Sequence, residues 1–288
     1  MLPAHIPSPD FNAIHLGPVT IHFYALCILT GIAFATLWAK HRWEARGGNL
    51  EHLYDALFAG MITGIIGARL YHVITSPDAY FGPQGHLIDA FKIWNGGLGI
   101  WGGVAGGAVG AYFVCRKYGC SFAVLADVVA PTLLLGQAVG RLGNWFNQEL
   151  YGGPSDSFWA LEITCRGGEI VGCTPGLYQP TFLYEMLWNL AGIGVLLIWE
   201  RSFHLAGGRM FWAYVIYYTA GRLWIETLRT DPAQIIFGQR LNVWTSLFMI
   251  AFGVLMFGIL TRRKRVRGEE AYFAETPRES REEGSVRV

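Results

Sequence analysis

Seven stretches of about 20 mainly apolar residues, near 20–39, 54–74, 97–115, 123–143, 181–199, 209–228 and 241–260, leave little room for a water-soluble fold. A helix needs about 20 such residues to cross a bilayer, where every backbone N–H and C=O must be satisfied within the segment itself. The expected fold class is therefore all-α, a polytopic membrane protein of about seven transmembrane helices. Composition agrees, since 52% of the 288 residues are hydrophobic and 15% charged. The net charge of +1 does not bear on a nucleic-acid partner, since the charge that matters is its distribution along the chain; the expected partner is the lipid bilayer, and no nucleic acid is expected.

The distribution of Lys and Arg orients the chain. Lys40, Arg42 and Arg46 follow the first span, Arg116 and Lys117 the third, Arg201 and Arg209 the fifth, and Arg262, Arg263, Lys264, Arg265 and Arg267 the seventh. The other side carries only Lys92, Arg166, Arg229 and Arg240. The bias is satisfied by an outer amino terminus and a cytoplasmic tail. Residues 1–20 hold four prolines and no basic residue, unlike the n-region of a cleavable signal, so the first span is expected to be retained. One membrane domain is expected over 1–267, with a small extracytoplasmic head built from 75–96 and 144–180. Residues 268–288 read as a disordered cytoplasmic tail.

Five cysteines without a CxxC or a paired histidine argue against a metal site. Cys165 and Cys173 share one outer loop, a setting that permits a disulfide, although spacing alone leaves the bond open. Glycine recurs at helical spacing: Gly60, Gly64 and Ala68 form one small-residue series, and Gly103, Gly107 and Ala111 another, as close helix packing requires. The string GLGIWG at 97–102 fits GxGxxG, but no strand precedes it and a dinucleotide site is not expected.

Polar residues inside the spans carry the functional signal, because a charge at mid-bilayer costs about 2.5–3.5 kcal/mol on insertion scales. GRLGNWFNQELYG at 140–152 places Arg141, Asn144, Asn147 and Glu149 in or beside the fourth span, whose outer end is expected to unwind toward a polar cavity. In the sixth span Tyr218, Arg222, Glu226 and Arg229 fall along one helical stripe. An internal Arg222–Glu226 pair is one reading. Two arginines to one carboxylate leave a surplus positive charge, and a bound anion such as a phospholipid phosphate would match it. Glu185 and Asn189, on one face of the fifth span, are weaker candidates. Arg69 suits either snorkelling to the interface or head-group binding. His22 and Tyr24 suit an interfacial belt or a head-group role.

These residues together resemble the prolipoprotein diacylglyceryl transferase family. The 140–152 string is similar to its G-R-x-G-N-F-x-N-x-E signature. LGPVTIHFYAL at 16–26, GARLYHVI at 67–74, YQPTFLYE at 178–185 and YYTAGRLWIETLRTDPAQ at 217–234 resemble further family elements in the same order. The resemblance implies transfer of the diacylglyceryl group of phosphatidylglycerol to the lipobox cysteine of an exported prolipoprotein, with release of glycerol phosphate. It implies no cofactor and no catalytic cysteine, since the attacking sulfur belongs to the substrate. It also implies a multi-pass protein of the bacterial cytoplasmic membrane, the inner membrane where there are two, with an outward-facing site. Residue by residue, it assigns function to Arg141, Asn144, Glu149, Arg222, Tyr218, Glu226, His22 and Tyr24. Arg141 and Arg222 would hold the phosphate and stabilise the departing anion; Asn147, Arg229 and Arg69 join them as binding residues.

Two departures from the family pattern bear on mechanism. A family histidine is replaced by Trp101, and the HPxQLYE element has Gln179 for histidine and Phe182 for glutamine. The reading is therefore that Arg141 and Arg222 favour the substrate thiolate electrostatically, with Glu149, Glu226 or Tyr24 as proton acceptor. A transporter of anionic solutes and a non-catalytic lipid-binding protein are the competing readings. The first would show repeated halves, which the sequence lacks, and the second needs no stripe of convergent Arg, Glu and Tyr.

Overall fold

A computed structural model of the chain describes residues 5–82, 85–168, 170 and 172–267, so the expected tail at 268–288 lies outside the described residues. Seven long helices fall on the seven apolar stretches: α1 Phe23–Glu44, α2 Leu50–Thr75, α4 Ile100–Tyr118, α5 Phe122–Asn147, α6 Thr181–Phe203, α7 Arg209–Leu228 and α8 Leu241–Arg267, with a one-turn α3 at Asp78–Phe81. Five of them, α1, α2, α5, α6 and α8, are long and apolar enough to cross a membrane. Glycines and a basic last turn lower α4, and α7 carries Arg222 and Glu226. Leu29, Phe113 and Phe248 are more than 60% exposed, whereas Asp127, Asn189 and Glu226 are at most 2% exposed. Apolar groups outside and carboxylates inside is the distribution of a protein dissolved in lipid.

The described residues form two compact units, one of 5–39 and 126–267, the other within 40–125. In the second unit Asn49 caps α2 by accepting the Glu51 N–H at 2.8 Å. The two small-residue series face each other across α2 and α4. A Cβ added to Gly60 would lie 3.2 Å from the Gly107 carbonyl oxygen, and one on Gly64 would lie 3.3 Å from that of Gly103. The expected close packing is present, and the GxGxxG string is spent on it at Gly102, which abuts the Gly67 backbone.

In the first unit, α7 packs on α6 and α8 around a core of Leu134, Leu196, Met210, Ala213 and Val215. Asp127 of α5 holds the start of α7, accepting the N–H groups of Gly208 at 2.8 Å and Phe211 at 3.0 Å. These are N–H groups that no helical carbonyl satisfies, so a buried carboxylate there is a strong cap. Three two-stranded antiparallel sheets lie at the helix ends: β1 Ala13–Leu16 with β2 Val19–His22, β3 Leu161–Ile163 with β4 Gly176–Tyr178, and β5 Ile235–Ile236 with β6 Gln239–Arg240. The last turns through Phe237 and Gly238, both at positive φ as a tight two-residue hairpin demands.

Among the described residues of 148–180 no long helix occurs. Leu161, Ile163, Cys165 and Phe182 make a small core there, and Ile6 of the amino-terminal segment bridges to Leu161. Cys165 and Cys173 are joined, with Cα atoms 5.7 Å apart, and Cys27, Cys115 and Cys120 are free. Alkylation of the denatured protein is thus expected to modify three thiols before reduction and five after it, read by intact mass. Five before reduction would show the bond absent.

Candidate active site

Arg141 and Asn144 project from the last turns of α5, which continues as helix to Asn147 before it ends. The end is a Schellman turn: Gln148 N–H reaches the Trp145 carbonyl at 3.2 Å and Glu149 N–H that of Asn144 at 3.2 Å. Glycine is the usual residue at the left-handed position, yet Gln148 occupies it at φ 52°. Its side chain supplies the compensation. Gln148 is buried, Oε1 accepts the N–H groups of Thr164 at 3.1 Å and Cys165 at 3.0 Å, and Nε2 donates to the Pro9 carbonyl at 3.0 Å. A glycine here would fit the backbone and lose the tie to two other segments.

Beyond that turn, Glu149 Oε1 accepts from Asn144 Nδ2 at 2.8 Å and Asn147 Nδ2 at 3.2 Å, while Asn144 Oδ1 accepts from Arg141 at 3.2 Å. Arg141 then meets Glu185 of α6, Nη2 to Oε2 at 2.6 Å, an ion contact without hydrogen-bond alignment. The other oxygen of Glu185 accepts from Arg222 of α7 at 2.7 Å. Arg222 also donates to Glu226 Oε2 at 2.8 Å. Glu226, fully buried, accepts in addition from Arg240 Nε at 2.8 Å and Asn242 at 3.1 Å, and Arg229 lies 3.6 Å away. Arg229 and Arg240 converge on Asp231, at 2.7–3.0 Å. The first site residue and the sixth-span stripe are one chain of alternating charge across three helices and a hairpin.

That chain corrects the charge count read from the sequence. Four guanidinium groups, those of Arg141, Arg222, Arg229 and Arg240, stand against four carboxylates, those of Glu149, Glu185, Glu226 and Asp231, so the network needs no bound anion for neutrality. The surplus inferred at 218–229 disappears because Glu185 comes from another helix and Asp231 from beyond the helix end. Both oxygens of Glu226 are occupied by charged or amide donors, whereas Oε2 of Glu149 takes no protein hydrogen bond among the described residues.

The remaining candidates divide. Tyr24 packs its ring on Gly143, one residue before Asn144, and so borders the network. His22 ends β2, exposed and paired in register with Ala13. Tyr218 stacks on Tyr214 with ring centroids 5.9 Å apart, one turn before Arg222. Asn189 of α6 is buried with an unpaired Nδ2. Arg240, Asp231, Asn242 and Gln148 were not identified as site residues by sequence; the first appeared only as a charge in an outer loop. Nothing in helical periodicity could have found the first two, because Asp231 lies past the end of α7 and a hairpin folds Arg240 back.

Arg69 belongs to the other unit and does a different task from either expected. Its five N–H groups meet five backbone carbonyls: Ala90 at 2.8 Å, Gly96 at 2.6 Å, Gly97 at 2.9 Å, Lys92 at 3.3 Å and Asp89. It is buried and does not snorkel; it organises the 89–97 loop. A Cβ at Gly97 would strike the guanidinium, 2.6 Å from Nη1. Arg69→Met is expected to raise protease sensitivity of 86–99 several-fold, measured by mapping of cleavage sites, and Arg69→Lys to repair little of it.

Outside the spans, Asp231 shows the electrostatics of the network. Burial alone would raise its pKa; the Arg229 hydrogen bond and the charges of Arg229 and Arg240 outweigh it and hold the carboxyl below its ordinary value. The stabilisation is therefore complete above the unfolded-state pKa and is lost as pH falls through the lowered folded value. A fluorine-labelled Phe237 at the hairpin tip is expected to report no change down to about pH 4 and release only below it.

The departures from the family pattern also have structural accounts. Phe182 is buried and stacks on Trp145, centroids 6.0 Å apart, filling the small core where a glutamine would need partners. Gln179 uses its backbone, exchanging hydrogen bonds with Gly152 and Gly153 at 2.9 Å each. Trp101 lies in the first turn of α4, partly exposed.

The sequence model described as prolipoprotein diacylglyceryl transferase matches residues 12–259. The chain belongs to the prolipoprotein diacylglyceryl transferase family. Proteins named phosphatidylglycerol–prolipoprotein diacylglyceryl transferase are similar along most of its length. One from Bifidobacterium adolescentis is 47% identical, covering 89% of this chain and 80% of its own. One from Streptomyces coelicolor is 50% identical, covering 93% and 77%. One from Cutibacterium acnes is 47% identical, covering 90% and 87%. The matched span of this diacylglyceryl transferase family member includes the whole charge network, from Arg141 to Asn242, and both units. With its apolar helices, the membership makes the chain a multi-pass bacterial membrane protein.

Proposed function

We propose that the chain transfers the diacylglyceryl group of phosphatidylglycerol to the lipobox cysteine of prolipoproteins, the first step of lipoprotein maturation. The family and the names of its relatives support that activity. The observation that carries it to a mechanism is the bridging of Arg141 and Arg222 by one carboxylate, Glu185. Two arginines from different helices are held a carboxylate's width apart, the spacing at which two guanidinium forks grip two oxygens of a phosphate.

In the reaction the substrate sulfur attacks the terminal glyceryl carbon of the diacylglyceryl group. The C–S bond forms as the C–O bond to phosphate breaks, the electron pair leaves with the phosphate, and the thiol proton passes to an acceptor. Arg141 and Arg222 stabilise the charge growing on the departing glycerol phosphate, a preorganised arrangement in a low-dielectric site. Glu149, with one free oxygen, accepts the thiol proton, and Tyr24 borders the same place. Asn144 and Asn147 orient Glu149; Glu226, Arg229, Arg240 and Asp231 fix Arg222 from behind. All seven long helices span the bilayer, α7 included because its charges face protein, and α4 because its exposed Arg116 and Lys117 stand in the last turn, at the end of the span. The K/R bias puts the amino terminus, the 148–180 segment and the site on the outer face.

Purified protein in phosphatidylglycerol vesicles with a lipobox peptide tests this reading. The peptide is expected to gain one diacylglyceryl mass, and a peptide with serine for cysteine none. No thioether from folded protein beside an active family enzyme overturns it. The family and the names of its relatives do not favour a transporter of anionic solutes.

A further inference from the structure

Beside the charge network lies a cavity of about 400 Å³ walled by segments 148–151, 172–178 and 230–232. We infer that it receives the acceptor polypeptide next to its reactive cysteine, an inference that rests on the transferase reading.

The walls come from loops beyond the helix ends, where acyl chains would be out of their solvent, so the occupant is polar or amphipathic. Glu149 and Asp231 contribute carboxylates, and Tyr151, Thr174 and Tyr178 hydroxyls; no Lys, Arg or His lines it among the described residues. A polypeptide, with an N–H donor at nearly every residue, is suited to a wall of acceptor oxygens. Glu149 belongs both to the cavity and to the network, which places the peptide's thiol beside its proposed proton acceptor. The wall is also preorganised. The Cys165–Cys173 bond anchors its middle segment, and Tyr178 Oη donates to the Thr174 carbonyl at 3.0 Å. A preformed site of this volume is in the ordinary range for binding part of a ligand of drug or short-peptide size.

Thr174 is exposed on the wall, holds no member of the network and can be enlarged without touching it. Thr174→Trp and Thr174→Lys are each expected to fill the cavity with a long side chain; Thr174→Ser is the control. The readouts are KM for the lipobox peptide, KM for phosphatidylglycerol, and equilibrium binding of a fluorescent cysteine-to-serine lipobox peptide in nanodiscs. At least tenfold losses in peptide KM and binding, with lipid KM unchanged, are expected for Trp and Lys variants that unfold at the wild-type temperature. Unchanged peptide binding and KM in either folded variant, or a shift in lipid KM alone, overturns the inference while leaving the transferase reading intact. Wild-type protein that binds the peptide through this wall and makes no thioether overturns the transferase reading instead.

Discussion

Arg222→Lys is expected to lower thioether formation about 100-fold or more, with the protein still folded and extractable. A lysine keeps the charge and loses the fork, so it cannot hold Glu185 and Glu226 together or grip two phosphate oxygens at once. Removal of one well-placed donor to a developing anion costs about 10²–10³ in rate, and Arg222 supplies more than one. Arg141→Lys is expected to act in the same direction. The effect belongs in kcat, because the interaction strengthens as the phosphate departs. Near-normal kcat in either variant would remove the arginines from the chemistry and return them to structure.

The second large effect is expected at Glu185. Glu185→Ala leaves Arg141 and Arg222 facing each other with no carboxylate between them, and breaking such a buried pair costs about 3–5 kcal/mol. A thermal shift of many degrees in detergent is expected, read by circular dichroism or by scanning fluorimetry. Adding Arg141→Met to Glu185→Ala should recover part of the loss, since it removes one of the two stranded cations. Excess phosphatidylglycerol should stabilise Glu185→Ala more than wild type, because its phosphate takes the vacant place between the guanidinium groups. A neutral Glu185→Ala would mean that water already screens the pair.

The helices were legible in the sequence because lipid imposes length and apolarity on a span: seven long helices fall on the expected stretches, and five of them are long and apolar enough to cross a membrane. The other two, α4 and α7, fall short by composition, one through glycine and a basic last turn and the other through the charges of the network. Half of the site was legible as well. Arg141, Asn144 and Glu149 sit within a single turn and its cap, and Tyr218, Arg222, Glu226 and Arg229 repeat at helical spacing, so local geometry brings each set together. What joins the sets is not local. Glu185 had to be placed by packing of α6 against α7, Asp231 by the irregular segment beyond the end of α7, and Arg240 by a hairpin turning at Phe237 and Gly238. The surplus positive charge inferred from one helix was the consequence of reading that helix alone. Arg69 illustrates the same limit, since the five carbonyls it collects are brought to it by an irregular loop with no periodic signal.

The chemical claim at the centre is that sulfur displaces glycerol phosphate at carbon, with the arginines stabilising the leaving group. Phosphatidylglycerol carrying oxygen-18 in the bridge between the diacylglyceryl carbon and phosphorus tests it directly. Mass spectrometry of the products is expected to find one labelled glycerol phosphate per thioether peptide, because the C–O bond breaks and the bridge oxygen leaves with phosphorus. Label retained on a released diacylglycerol, or glycerol phosphate formed without thioether, would contradict the account.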